Sequence, residues 1–138
     1  MEADVQRLLA SKGIRRVAAD PETARISRRH LASAEKIMAD DPTLAFTALY
    51  DAMRKAISAH MRTRGYRVTG GPGAHMKTGA YAQAALDHLD IGPHLDQFDA
   101  LRYLRNQSEY DALHPEAGEV RDALAHVRAI VEAIACDL

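Results

Sequence analysis

The chain has 138 residues, enough for one domain that buries a core without disulfides or structural metals. Apolar residues make up 47% of it, but aromatic residues only 5%, and there is no Trp. With abundant alanine, this composition favours the packing of helices over a sheet. The net charge of −1 argues against a protein that coats polyanions with its whole surface.

The cellular setting is indicated by what the chain lacks. The single Cys136 has no partner for an internal disulfide, which is typical of a reducing compartment. No apolar run approaches the roughly 20 residues of a membrane span, and the N-terminus has no signal-peptide pattern. We therefore expect a soluble, cytoplasmic protein with no membrane partner.

The charges are unevenly distributed along the chain. Residues 1–86 carry 14 Lys and Arg against 8 Asp and Glu, whereas residues 87–138 carry 4 against 11. This distribution is compatible with a basic face for RNA or an electropositive cleft. It is equally compatible with two halves that simply attract each other.

Helix starts are marked by prolines that follow an N-cap residue, as at Asp41-Pro42, and Gly65 is well placed to end a helix. No segment alternates with period two, so no strand is expected. The sequence predicts an all-α fold, an antiparallel up-and-down helical bundle of four to five main helices with an extra N-terminal helix. Residues 1–20 would form the N-terminal extension and residues 21–138 the bundle domain. The predicted helices are about 4–18, 22–39, 42–64, 74–89, 95–111 and 115–136.

The glycine-rich connection GYRVTGGPG is followed by a polar helix start. It is not a P-loop, because Met76 stands where glycine must precede the lysine and no strand is expected before it. His75 and Lys77 nevertheless open a helix whose free N–H groups could hold an anion. A flexible loop that ends in a polar helix start explains the same residues.

Metal and nucleophile chemistry find little support in the sequence. There is no Cys-x-x-Cys, and no two histidines have ligand spacing on one helix face. His30 and His60 lie near apolar stripes, where a histidine is more often a core residue with its hydrogen bonds satisfied. Cys136 lies in the last helical turn, outside any nucleophile motif. We predict no metal and no cofactor.

The stretch LRYLRNQSEY, residues 101–110, places charge on an apolar helix face. At 100° per residue, Arg102, Arg105 and Glu109 fall on the side of Leu95, Phe98, Leu101, Ala112 and Leu113. Buried charge is costly unless it is paired. The cluster is therefore either an internal salt bridge that fixes the helix register or a polar cleft with guanidinium groups positioned for phosphate.

These residues resemble the HEPN superfamily. The resemblance lies in Arg105-Asn106-x-x-Glu109-Tyr110 late in a helical bundle, followed by a turn and a long final helix. It extends to the loop that begins at Gly65 and is followed by a histidine, and it covers roughly residues 22–136.

The resemblance implies an up-and-down bundle, commonly a homodimer, whose motif helices face a cleft. Many members of the superfamily are metal-independent ribonucleases of toxin–antitoxin or defence systems, with the signature Arg, four to six residues, then His. Others are paired with nucleotidyltransferases or bind nucleotides without cutting RNA.

This chain departs from the ribonuclease signature at its centre, because Tyr110 stands five residues after Arg105. The reference pKa of tyrosine is about 10, so it is a poor base near neutral pH. His75 could take the place of the missing base. The candidate catalytic residues are Arg105, Tyr110 and His75, and the candidate nucleic-acid or nucleotide-binding residues are Arg102, Arg105, Asn106, Glu109 and Lys77.

The expected function is that of an RNA- or nucleotide-binding protein in a toxin–antitoxin or defence-type system. Its expected partners are a second copy of the chain and an antitoxin or nucleotidyltransferase. Two alternatives stay open at this point. One is an active metal-independent ribonuclease toxin, and the other is a non-catalytic protein-interaction module with a structural buried salt bridge.

Overall fold

The computed structural model describes residues 2–110 and 114–138, and for residues 108–110 it describes the backbone alone. The described chain is mostly helical and confirms the predicted all-α helical bundle. Its elements are α1 (Glu2–Ala10), β1 (Ile14–Arg16), α2 (Arg25–Ile37), α3 (Pro42–Thr63), β2 (Tyr66–Val68), α4 (Ala74–Ala85), a 3-10 turn (Asp87–Leu89), α5 (Gly92–Leu95), α6 (Phe98–Tyr110) and α7 (Ala117–Asp137).

Helix α3 is the central helix and packs against α2 and α7. It begins where the sequence predicts, because the Asp41 carboxylate accepts a hydrogen bond from the Leu44 N–H at 3.1 Å and Pro42 occupies the first turn. The chain leaves the helix through Gly65, whose φ of 82° suits glycine best. The apolar residues that recur at helical spacing along this helix are buried: Phe46, Leu49, Tyr50, Met53, Ile57 and Met61.

Two short strands correct the expectation that the chain has none. Ile14–Arg16 pairs antiparallel with Tyr66–Val68, with Ile14 opposite Val68. The N-terminal helix, predicted over 4–18, ends at Ala10 because Lys12 adopts a left-handed φ of 62°. Three-residue strands that pair across about fifty residues leave no periodic pattern in the sequence.

The predicted helix 95–111 is wrong at its beginning. The backbone tightens at Gln97, whose N–H donates to the His94 carbonyl three residues back. This turn separates the short α5 from α6, so Leu95 and Phe98 belong to different helices, although both side chains are buried. Ala112 and Leu113, which were assigned to the same apolar side, lie outside the described residues.

The N-terminal segment shares the core of the bundle. Val5 of α1 and Ile14 of β1 are buried in the same apolar cluster as α3 and α7. Within the described residues, no helix is both long and apolar enough to cross a membrane.

Candidate anion-binding site

A surface cavity of about 260 Å³ lies between the beginning of α4 and the middle of α6. Four of the site residues predicted from the sequence line it together: His75 from α4, and Arg102, Arg105 and Asn106 from α6. The remaining lining residues are Gly71, Gly73, Ala74 and Met76.

The backbone of the glycine-rich loop presents the beginning of α4 to this cavity. Gly73 adopts a φ of 83°, a left-handed conformation that suits glycine, and Ala74 then begins the helix. No side chain that the structure describes caps this end of α4. The first N–H groups of a helix have no intrahelical acceptor and carry a partial positive charge, so the cavity is electropositive on this side.

The His75 side chain contacts Tyr50 of the central helix α3. The Tyr50 hydroxyl lies 2.8 Å from His75 Nδ1, and the two ring planes are within 12° of parallel. The Tyr50 side chain is buried, only 1% exposed. Helical spacing alone groups Tyr50 with the apolar residues of α3, because its hydroxyl contact depends on how α3 and α4 pack.

Arg105 lies against the same tyrosine, with its guanidinium carbon 5.6 Å from the centroid of the Tyr50 ring. One turn earlier, Arg102 is 26% exposed, and its Nε lies 3.5 Å from Asp99 Oδ1. This Nε is buried and makes no hydrogen bond to any part of the chain that the structure describes. Both arginines are thus half-buried beside the core, as the helix geometry of the sequence predicts.

Of the predicted site residues whose side chains the structure describes, Lys77 alone does not line this cavity. The Lys77 ammonium donates to Thr69 Oγ1 at 2.8 Å, and Lys77 is not among the residues that line the cavity. The side chains of Glu109 and Tyr110 lie outside the described residues, and with them the predicted Arg105–Glu109 pair.

Burial keeps both Tyr50 and His75 uncharged. Burial raises the pKa of the Tyr50 phenol to about 12, although the positive charges of Arg105, Arg102 and Arg54 oppose this shift. Burial lowers the pKa of His75, and the same three arginines lower it further. At neutral pH, Tyr50 therefore keeps its proton and His75 is an uncharged imidazole.

A second polar cluster lies beside the C-terminal half of α4. The buried His60 ring lies 3.0 Å from the Tyr81 hydroxyl through Nδ1 and 2.8 Å from Asp137 through Nε2. Asp137 also accepts from Arg64 at 3.1 Å. This confirms the interpretation of His60 as a core histidine whose hydrogen bonds are satisfied.

The described residues include no group of three His, Cys, Asp or Glu side chains that could hold a metal ion. Comparison with protein-family models, with curated proteins and with solved structures finds no match for this chain.

Proposed function

We propose that the protein is a HEPN-like protein that binds the phosphate groups of RNA or of a nucleotide in the cavity between α4 and α6. The observation that carries this proposal is the convergence of Arg102, Arg105, His75 and the uncapped beginning of α4 on one cavity. These groups come from two helices that are separate in sequence.

The chemistry of the lining groups favours phosphate over other ligands. A guanidinium group presents several N–H donors in a planar arrangement that matches phosphate oxygens. The free N–H groups at the beginning of a helix bind anions in the same way. Arg102 lines the same cavity one turn before Arg105 and contributes a second guanidinium group to it.

The biological setting of the proposal comes from the sequence resemblance. A HEPN-like protein with Arg105-Asn106-x-x-Glu109-Tyr110 would act in a toxin–antitoxin or defence-type system, as a homodimer or with an antitoxin or nucleotidyltransferase. A gene for such a partner next to the gene for this chain would support that setting.

Titration of the purified protein with a labelled short RNA and with adenosine monophosphate tests the proposal. A charge-assisted hydrogen bond contributes about 1.5–3 kcal/mol, so Arg105→Ala should weaken binding by roughly ten- to a hundredfold. Arg29→Ala is the matched control, because Arg29 is an exposed arginine of α2 that lies outside the cavity. Equal binding by wild type and Arg105→Ala, or no binding by either, would contradict the site.

The same variant separates binding from a purely structural role. If the arginine cluster only stabilises an interaction module, wild type binds neither probe. In that case Arg105→Ala loses stability, by about 3–5 kcal/mol where it leaves a buried charge without its partner. Thermal unfolding of both proteins measures this loss.

A second candidate function is cleavage of RNA without a metal, and the uncharged His75 beside two arginines favours it. A neutral imidazole can accept the proton of a ribose 2′-hydroxyl while the 2′-oxygen bonds to phosphorus, and can return that proton to the 5′-oxygen that leaves. Arginine can stabilise the negative charge on the non-bridging phosphate oxygens. Incubation with total RNA in EDTA tests this activity. If the protein is a ribonuclease, wild type cleaves RNA and both His75→Ala and Arg105→Ala lose this cleavage. Unchanged cleavage in these variants would rule out the second candidate function.

A further inference from the structure

We infer that Tyr50 is a positioning residue whose hydroxyl fixes His75 in the tautomer that carries its proton on Nε2, so that His75 offers the cavity a hydrogen-bond donor. The tautomer follows from the contacts of the free protein. The role of His75 as a hydrogen-bond donor to phosphate rests on the proposed function.

The first step is the direction of the hydrogen bond between the two side chains. The Tyr50 hydroxyl is buried and, among the described residues, has His75 Nδ1 as its one hydrogen-bond partner. A buried O–H that donates to nothing is costly. The hydroxyl hydrogen therefore points at Nδ1, which accepts it through its lone pair.

The second step is the place of the remaining proton. A neutral imidazole has one N–H, and the nitrogen that accepts a hydrogen bond cannot carry it. The low pKa of His75 and the high pKa of Tyr50 keep the pair in this neutral form at physiological pH. The proton of His75 is thus on Nε2, which makes no hydrogen bond within the described part of the chain.

The protein contains the same arrangement a second time, where a carboxylate fixes it independently. His60 Nε2 faces Asp137, which accepts hydrogen bonds only, so this nitrogen must carry the proton. His60 Nδ1 then accepts from the Tyr81 hydroxyl at 3.0 Å. The Tyr81–His60 pair therefore serves as a reference, within one chain, for the tautomer assigned to the Tyr50–His75 pair.

The tautomer decides what His75 can do in the cavity. With a proton on Nε2, the ring donates to a phosphate oxygen, as the guanidinium groups of Arg102 and Arg105 do. A general base would need the lone pair on Nε2 instead. The contacts of the free protein thus prepare His75 to bind an anion. Service as the base for RNA cleavage, the second candidate function, would require the ring proton to move to Nδ1 and the Tyr50 hydroxyl to accept a hydrogen bond from it.

Long-range proton–nitrogen correlation spectra of the free protein read the tautomer directly, since protonated and unprotonated ring nitrogens resonate in separate regions. We expect His75 and His60 both to show a protonated Nε2 and an unprotonated Nδ1. In Tyr50→Phe, the His75 pattern should move towards a mixture of tautomers while the His60 pattern stays. In Tyr81→Phe, the matched control, His75 should be unchanged. A protonated Nδ1 on His75 in wild type, or a His75 pattern unaffected by Tyr50→Phe, would overturn the inference.

Binding of adenosine monophosphate then tests the donor role. Tyr50→Phe should bind about two- to tenfold more weakly than Tyr81→Phe, because one hydrogen bond no longer orients the ring. His75→Gln, whose amide N–H₂ reaches about as far as Nε2, should bind more tightly than His75→Ala. Equal binding by these two variants would overturn the donor role. If wild type does not bind, the proposed function fails, and the spectra of the free protein still decide the tautomer.

Discussion

The guanidinium carbon of Arg105 lies 5.6 Å from the centroid of the Tyr50 ring, a contact between the candidate site and the central helix of the bundle. The same ring packs against Phe98 at 6.2 Å and holds His75 through its hydroxyl. Because Tyr50 is buried, these three neighbours are positioned by the core. The geometry of the site therefore depends on core packing as well as on its own charges.

Arg105→Lys tests whether the shape of the guanidinium group matters beyond its charge. Lysine keeps the positive charge but loses the planar donor array and its contact over the Tyr50 ring. We expect binding of adenosine monophosphate to be weaker than in wild type and tighter than in Arg105→Ala, measured by calorimetry. Arg29→Lys, on the exposed surface of α2, should bind as wild type does. Wild-type affinity in Arg105→Lys would mean that charge alone is recognised.

Gly79→Ala should loosen the contact between α4 and α6. A Cβ at Gly79 would lie 2.6 Å from Phe98 Cδ1, and Phe98 is buried, so the helices must move apart. Overpacking of this kind costs about 1–3 kcal/mol, which thermal unfolding would show as a lower Tm. Gly92→Ala is the control, because its Cβ would meet nothing within 4 Å. Equal melting temperatures for the two variants would contradict this packing.

Asp137→Asn should destabilise the protein without affecting the cavity. Oδ2 of the carboxylate accepts from His60 at 2.8 Å and from Arg64 at 3.1 Å, and Oδ1 lies 3.3 Å from His88 Nε2. An amide cannot accept through both of its terminal atoms, so one side of this cluster loses its acceptor. We expect a loss of about 1–2 kcal/mol in urea unfolding and unchanged ligand binding. Asp122→Asn, at an exposed position of the same helix, should be neutral. A stable Asp137→Asn variant would show that the cluster contributes little.

Stability should fall as the pH is lowered from about 7 to 5. Burial lowers the pKa of both His60 and His75 below the value of 6.5 that each has in the unfolded chain. Below pH 6.5, the unfolded chain therefore takes up protons that the folded chain does not, and the free energy of unfolding decreases until the lowered pKa values are reached. Urea unfolding at a series of pH values measures this slope. A free energy that is constant or rises on acidification would contradict the burial of these neutral rings.

Sequence periodicity accounts for most of the helical bundle and for half of the site. It places Arg102 and Arg105 one turn apart beside an apolar face, because both relationships lie within one helix. Periodicity does not predict the hydrogen bond between Tyr50 and His75, because that contact depends on the packing of α3 against α4. Periodicity does not predict the pairing of Ile14 with Val68 either, because the two short strands come from distant parts of the chain.

The central claim, that the cavity binds phosphate, is tested most directly by mapping adenosine monophosphate on the nitrogen-labelled protein by NMR. The account predicts saturable shifts in the signals of His75, Arg102, Arg105 and Asn106, with little change around Asp137. Shifts that do not saturate, or saturable shifts confined to residues outside the cavity, would contradict it.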